Sequence, residues 1–282
     1  MEPQILNLSV ALLCAGALAG FTAGMFGIGG GAVMVPALYH AFTLLGYHSE
    51  TIMHMSIATS VAVIIVTALR SACDHHKKDA VDWNLVWPGP FFQTVPENWG
   101  FWVAAGSLSG AVWLSSLLSG AQLTLLFGII MVGVAMQFIF GNPDWRLAKE
   151  IPGPPAAPLA GTGLGALCAL MGIGFGSVGV TLMLLCGRKI HTAIGTAAAI
   201  GFFIGLPAAI GYIISGWSVS GRPPLSLGYV NLVGFVVMIV MTIICVPFGV
   251  KLAHKLDQKI LRTIFGVCLL LVSLNMIRKI AL

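Results

Sequence analysis

Charge is what this 282-residue chain has least of. Asp, Glu, Lys and Arg make up 8% of it, against 58% apolar residues. Soluble domains carry about 25% charge, so the composition excludes an ordinary soluble globule and indicates an integral membrane protein. No charged residue occurs from Pro3 to Ser49, from Asn98 to Pro143 or from Ile151 to Gly187. The apolar segments hold no Asp or Glu, which disfavours cation pathways and carboxylate proton relays. Cys-x-x-Cys pairs are also missing. The six cysteines are scattered, mostly through apolar segments, and point to neither a disulfide framework nor a zinc site. No nucleophile–base pair, phosphate-binding loop or metal cluster stands out, so neither an enzyme nor a cofactor is expected. The amino terminus lacks a basic n-region, and the first apolar segment is read as retained. The net charge of +5 comes from loops; it speaks to orientation, and no nucleic-acid partner is expected.

Apolar segments run roughly over 5–26, 31–47, 51–70, 99–118 and 122–141. A second set covers 157–171, 175–187, 192–216, 228–250 and 260–277. A proline-rich connector separates them, giving a first repeat at 1–142, a connector at 143–157 and a second repeat at 158–282. His54-Met-Ser-Ile-Ala-Thr59 parallels His191-Thr-Ala-Ile-Gly-Thr196, and Phe127-Gly128 parallels Phe265-Gly266. Five segments per half is odd, so the halves should be inverted with respect to each other. That layout puts eleven of the fourteen Lys and Arg on one side, whereas four segments per half would split them eight to six. The expected fold is therefore an all-α polytopic membrane protein of two inverted repeats, roughly eight to ten transmembrane helices, with both termini outside the cytoplasm. Arg70, His75, His76, Lys77 and Lys78 read as a cytoplasmic anchor. The stretch 80–100, with Trp83, Trp87 and Trp99, reads as interfacial.

Against this sparse background one feature recurs. Gly27-Ile28-Gly29-Gly30-Gly31 and Gly172-Ile173-Gly174-Phe175-Gly176 interrupt matching apolar segments 145 residues apart. In lipid, a backbone that leaves the helix must be satisfied by protein or by a water-lined cavity. Paired breaks in two halves mark the binding site of repeat-built transporters. The segments beside the second break are too short to span a ~30 Å hydrocarbon core. Re-entrant or broken helices entering from opposite faces are expected. A helix starting after each break presents unpaired N–H groups and a partial positive charge. Gly29, Gly30 and Gly31 with Gly174, Gly176 and the Ser177 hydroxyl therefore suggest an anion site without charged side chains. Close helix packing is the competing role for the glycines. Ala32 matches Ser177 in the first half. His54, Thr59, Ser60, His191 and Thr196 are candidate wall residues. Boundary contacts for the histidines and back-bonding for the hydroxyls remain open alternatives.

The run Gly24-Met-Phe-Gly-Ile-Gly-Gly-Gly31 followed by Val35-Pro36-Ala-Leu38 resembles the first signature of the TauE/SafE family of sulfite and organosulfonate exporters. Ala58-Thr59-Ser60, Val81-Asp82-Trp83, Gly172–Gly176, His191 and Gly195-Thr196-Ala197-Ala198 extend the resemblance over nearly the whole chain. It implies an inner-membrane carrier of small sulfur anions such as sulfite, sulfoacetate or related sulfonates, exporting them by alternating access. In the second half Phe175 replaces a glycine and Thr181 stands where Pro36 would, so Phe175 is expected to narrow or gate its side. The expected partners are a small anionic substrate and the lipid bilayer, with a homodimer left open. A carrier of another small anion or a neutral solute, or a non-transporting membrane partner, are the alternatives.

Overall fold

The structure, a computed structural model, describes residues 3–26, 30–47, 50–87, 99–141, 151, 156–255 and 257–281. Gly27, Ile28, Gly29 and most of the connector lie outside these residues. In the first half, α1 spans Pro3–Phe26, α2 Gly31–Leu44 and α3 Ile52–His76. A short α4, Trp83–Val86, precedes α5, Trp99–Leu117, and α6, Gly120–Phe140. In the second half, α7 spans Ala156–Met171, α8 Gly176–Leu185 and α9 Ile190–Ser215. A two-stranded hairpin, β1 Ser226–Leu227 and β2 Val230–Asn231, leads into α10, Leu232–Ala253, and α11, Gln258–Ala281.

Five of these helices are long and apolar enough to cross a membrane: α3, α5, α6, α9 and α10. The chain is a multi-pass, all-α membrane protein. Its outer surface says the same. Val233, Val236, Val240, Ile243 and Ile244 of α10 are exposed, as are Ile129 and Phe140 of α6, a coating that only lipid covers without cost. The helices α2 and α8 have 14 and 10 residues, or about 21 and 15 Å, short of a ~30 Å core. Each follows a glycine break.

The halves are exchanged rather than set side by side. The first helix of each packs along the fourth helix of the other, α1 with α10 and α7 with α5. Glycine makes both pairings possible. A methyl on Gly20 would lie 2.5 Å from the Thr242 Cα, and one on Gly165 would collide with the Val103 carbonyl oxygen. Gly16, Gly20 and Gly24 form one stripe at helical spacing, and Gly161 with Gly165 the other. At the centre α3 packs on α9, and α6 packs on α11. Within α3 the hydroxyls of Ser56 and Thr67 donate back to Ile52 and Val63, so they cost little when buried.

Trp83 and Trp87 are substantially exposed, in keeping with an interfacial segment. Trp99 differs. It is buried at the start of α5, its ring edge-on to Phe175 in the second glycine loop.

Candidate functional site

The two glycine breaks meet. Gly30 caps α2 in the left-handed conformation, φ 78°, which an L side chain resists, and a methyl there would reach the Ala19 carbonyl at 2.5 Å. The next residue, Gly31, rests on the other break: a Cβ would collide with the Gly172 carbonyl oxygen and fall 2.8 Å from the Ile173 Cα. Gly172 is itself left-handed, φ 65°, and lies against Val35 and Ile57. Ser60 Oγ, fully buried on α3, donates to the Gly172 carbonyl at 2.7 Å. Thus Gly31 and Ser60 are brought to the second break, Gly30 rests on Ala19 of α1, and main chain touches main chain between the halves.

The start of α8 is where donors remain. Among the described residues no acceptor outside the helix takes the N–H of Gly174, Phe175, Gly176, Ser177 or Val178. The Ser177 hydroxyl is 1% exposed and has no hydrogen-bond partner among the described residues. An orphaned buried hydroxyl costs about 1–3 kcal/mol. Phe175 lies flat against Gly179, whose own Cβ would collide with the ring, so the phenyl group seals one wall of this turn. Beside the first break, an apolar crevice of about 140 Å³ is lined by Phe21, Met25, Ala32, Val33, Ile264 and Leu269.

The other predicted residues lie elsewhere. Thr59 Oγ1 accepts from the Asn231 N–H at 3.0 Å, and Thr196 Oγ1 accepts from the Asp82 N–H at 2.9 Å. Each threonine holds the chain entering the opposite half's fourth region, so the pair ties the halves together. His54 and His191 are at opposite ends of the bundle. His54 Nε2 donates to the Ser115 carbonyl at 3.0 Å and its ring stacks on Tyr229 at 5.2 Å; its Nδ1 is buried without a partner among the described residues. That carbonyl closes a stretch of α5, Gly110–Leu114, wound as a π-helix. His191 stacks on His254 at 4.7 Å, and His254 in turn contacts His75. His54 and His75 are 21 residues apart on α3, or about 32 Å.

Of the anticipated anchor, Arg70 and Lys77 pair with Asp74, and Lys78 reaches the Val250 carbonyl. His75 turns inward instead. It is fully buried, and Nε2 donates to the Gly24 carbonyl at 3.0 Å. Tyr212 does the same in the second half, its hydroxyl donating to the Ala169 carbonyl at 3.2 Å. The sequence offsets show the match: Thr59 to Thr196 and His75 to Tyr212 are both 137 residues, and Gly24 to Ala169 is the 145 of the glycine breaks.

The family model described as sulfite exporter TauE/SafE matches residues 12–276. A probable membrane transporter protein of Haemophilus influenzae is 29% identical over 95% of this chain and 98% of its own length. A probable membrane transporter protein of Methanocaldococcus jannaschii is 21% identical over 92% of this chain and 90% of its own. The probable membrane transporter protein YunE of Bacillus subtilis is 28% identical over 73% and 79%. No solved structure matches the chain.

Proposed function

The chain belongs to the sulfite exporter TauE/SafE family, and from that premise we propose that it exports small sulfur-containing anions, sulfite or C2 sulfonates, across the inner membrane. That it is a membrane transporter accords with the family and with its three named relatives. The observation that carries the anion reading is the start of α8. Among the described residues, the first N–H groups of α8 and the Ser177 hydroxyl lack partners there, a few residues past the contact of the two breaks. A sulfur oxyanion presents several acceptor oxygens, and a helix N-terminus favours negative charge. Neutral donors suit an anion that must also leave, because no fixed cation traps it.

The exchanged packing of α1 on α10 and α7 on α5 supports two inverted repeats. With the basic loops inside, both termini lie outside. Gly31 and Gly172 touch in this state, so an anion enters only when the halves part there. Rocking of one half against the other about that contact supplies alternating access. The Thr59 and Thr196 ties would hold the register of the halves while they move.

Purified protein in lipid vesicles should take up labelled sulfite and sulfoacetate, and should leave sodium and neutral amino acids behind. Flux of a cation or of a neutral solute in place of the anions would overturn the assignment.

A further inference from the structure

At each end of the bundle three rings stand in a row. At one end Tyr212 meets Tyr229 edge-on at 6.4 Å, and Tyr229 stacks on His54. At the other His75 lies 5.4 Å from His254, which stacks on His191 at 4.7 Å with planes 13° apart. The inner rings, Tyr212 and His75, occupy matching positions and donate to matching carbonyls, Ala169 and Gly24, each three residues ahead of a glycine break. The outer rings, His54 and His191, also match. Only the second trio consists entirely of groups that change charge near neutral pH.

We infer that the His75–His254–His191 trio is a proton-binding site that loads together with the transported anion. The inference rests on the transport reading above. Its hydrogen bonding is directional. His75 Nε2–H is committed to the Gly24 carbonyl, so His75 Nδ1 is the acceptor, and His254 Nε2–H points at it from 3.4 Å. A proton taken up at His254 Nδ1 releases the one on Nε2 to His75 Nδ1; one N–H bond breaks, one forms, and the charge moves inward by one ring. His254 and His191 are partly exposed and His75 is not, so the row leads from the surface to the end of α1.

The surroundings decide when that charge is tolerated. Facing the trio are the Gly24 carbonyl from α1, Lys78 just past α3, His191 from α9 and His254 at the end of α10. Among the described residues no carboxylate pairs with His75 or His254. Burial, Lys78 and His191 hold His254 below the ordinary imidazole range. The carbonyl ends of α1 and α3 favour a cation, but Lys78 opposes it. The charge sits beside the Gly24 carbonyl, three residues ahead of the first break, and bears on the anion site through α1 rather than by contact, because along α3 His75 is 15 residues from Ser60, about 22 Å. On this inference a charged trio and a bound anion favour each other and travel in the same direction. At the other end the ring that donates to the matching carbonyl is Tyr212, not an imidazole.

The test uses the purified chain in vesicles loaded with 2-hydroxyethanesulfonate, whose sulfonate stays ionised so that no proton rides on the substrate. Efflux from an acidic interior should be faster than without a gradient, by up to about tenfold per pH unit while the trio is mostly neutral. An internal pH dye should show protons leaving with the anion. His75→Tyr, which copies Tyr212, should abolish the gradient response, so that efflux with and without the gradient is equal whatever its level; His75→Gln, which keeps a donor for Gly24, is the second variant. Wild-type flux indifferent to the gradient, or variants that still respond to it, would overturn the inference. If neither the sulfonate nor sulfite moves, the transport reading fails. Nitrogen NMR of labelled histidines then decides the trio alone: a His254 signal that takes up a proton as the pH falls and shifts the His75 signal with it supports it, and a His254 signal that stays neutral, or changes without His75, overturns it.

Discussion

The two halves of this protein use one backbone plan with different chemistry at the same stations. Where the first half has Ala32 after its break, the second has the orphaned hydroxyl of Ser177. Where the first has His75 beneath its first helix, the second has Tyr212. The ties match: Thr59 holds Asn231 and Thr196 holds Asp82. The helix pairings match as well, each resting on glycine. The matches lie in the frame. The differences fall at Ser177 against Ala32 and at His75 against Tyr212, the positions where we propose anion binding and proton binding.

The frame is most vulnerable where the halves touch. Gly31→Ala places a methyl against the Gly172 carbonyl, where neither main chain can yield. Transport should fall below about a tenth of wild type, the loss expected for at least ~1.4 kcal/mol of misfit, although the protein still reaches the membrane. Unchanged flux would return the contact to ordinary packing. Gly20→Leu and Gly165→Leu set the two helix pairings against each other. Both should destabilise the detergent-solubilised protein by about 1–3 kcal/mol or more, seen as a lowered Tm. A large effect in one half with none in the other would contradict the matched frame. The smallest effect concerns the ties. Thr59→Val strands the Asn231 N–H, which is buried, whereas Thr196→Val strands the Asp82 N–H, which water can reach. Each removes a bond worth about 0.5–1.5 kcal/mol, so Thr59→Val should lower the Tm more. The reverse order would mean that the ties do not work as equivalents.

Much of the frame is readable from the chain. The ten apolar segments reappear as helices shifted by a few residues at their ends, because apolar run length fixes what lipid requires of a backbone. The meeting of the glycine breaks is legible from their spacing, since two interruptions in lipid need shared satisfaction. The helix pairing is not legible, although the stripes Gly16-Gly20-Gly24 and Gly161-Gly165 are plain in the chain. Small residues at four-residue spacing mark a close-packed face without naming what lies on it. Thr59 and Thr196 stand out as parallels, but their partners are 172 and 114 residues distant. The histidine row is hidden for the same reason. His75 sits among Arg70, Lys77 and Lys78 in sequence, while the ring that defines its role, His254, is 179 residues away. Aligning the halves by the threonines and comparing His75 with Tyr212 is the available signal. The sequence parallel makes His54 and His191 look like walls of one site, whereas the structure sets them at opposite ends of the bundle, His54 against Tyr229 and His191 against His254.

Everything in the transport reading depends on neutral donors at the start of α8 holding the anion, and sulfite binding to the purified protein tests them without the rest of the cycle. Calorimetric titration of wild type, Ser177→Ala and Ala32→Ser should show Ser177→Ala binding about tenfold more weakly, as losing a hydrogen bond to a charged group implies, with a Tm at or above that of wild type because the orphaned hydroxyl is gone. Ala32→Ser should bind as wild type or more tightly. Equal affinity in wild type and Ser177→Ala, or no binding of sulfite by either, would contradict it.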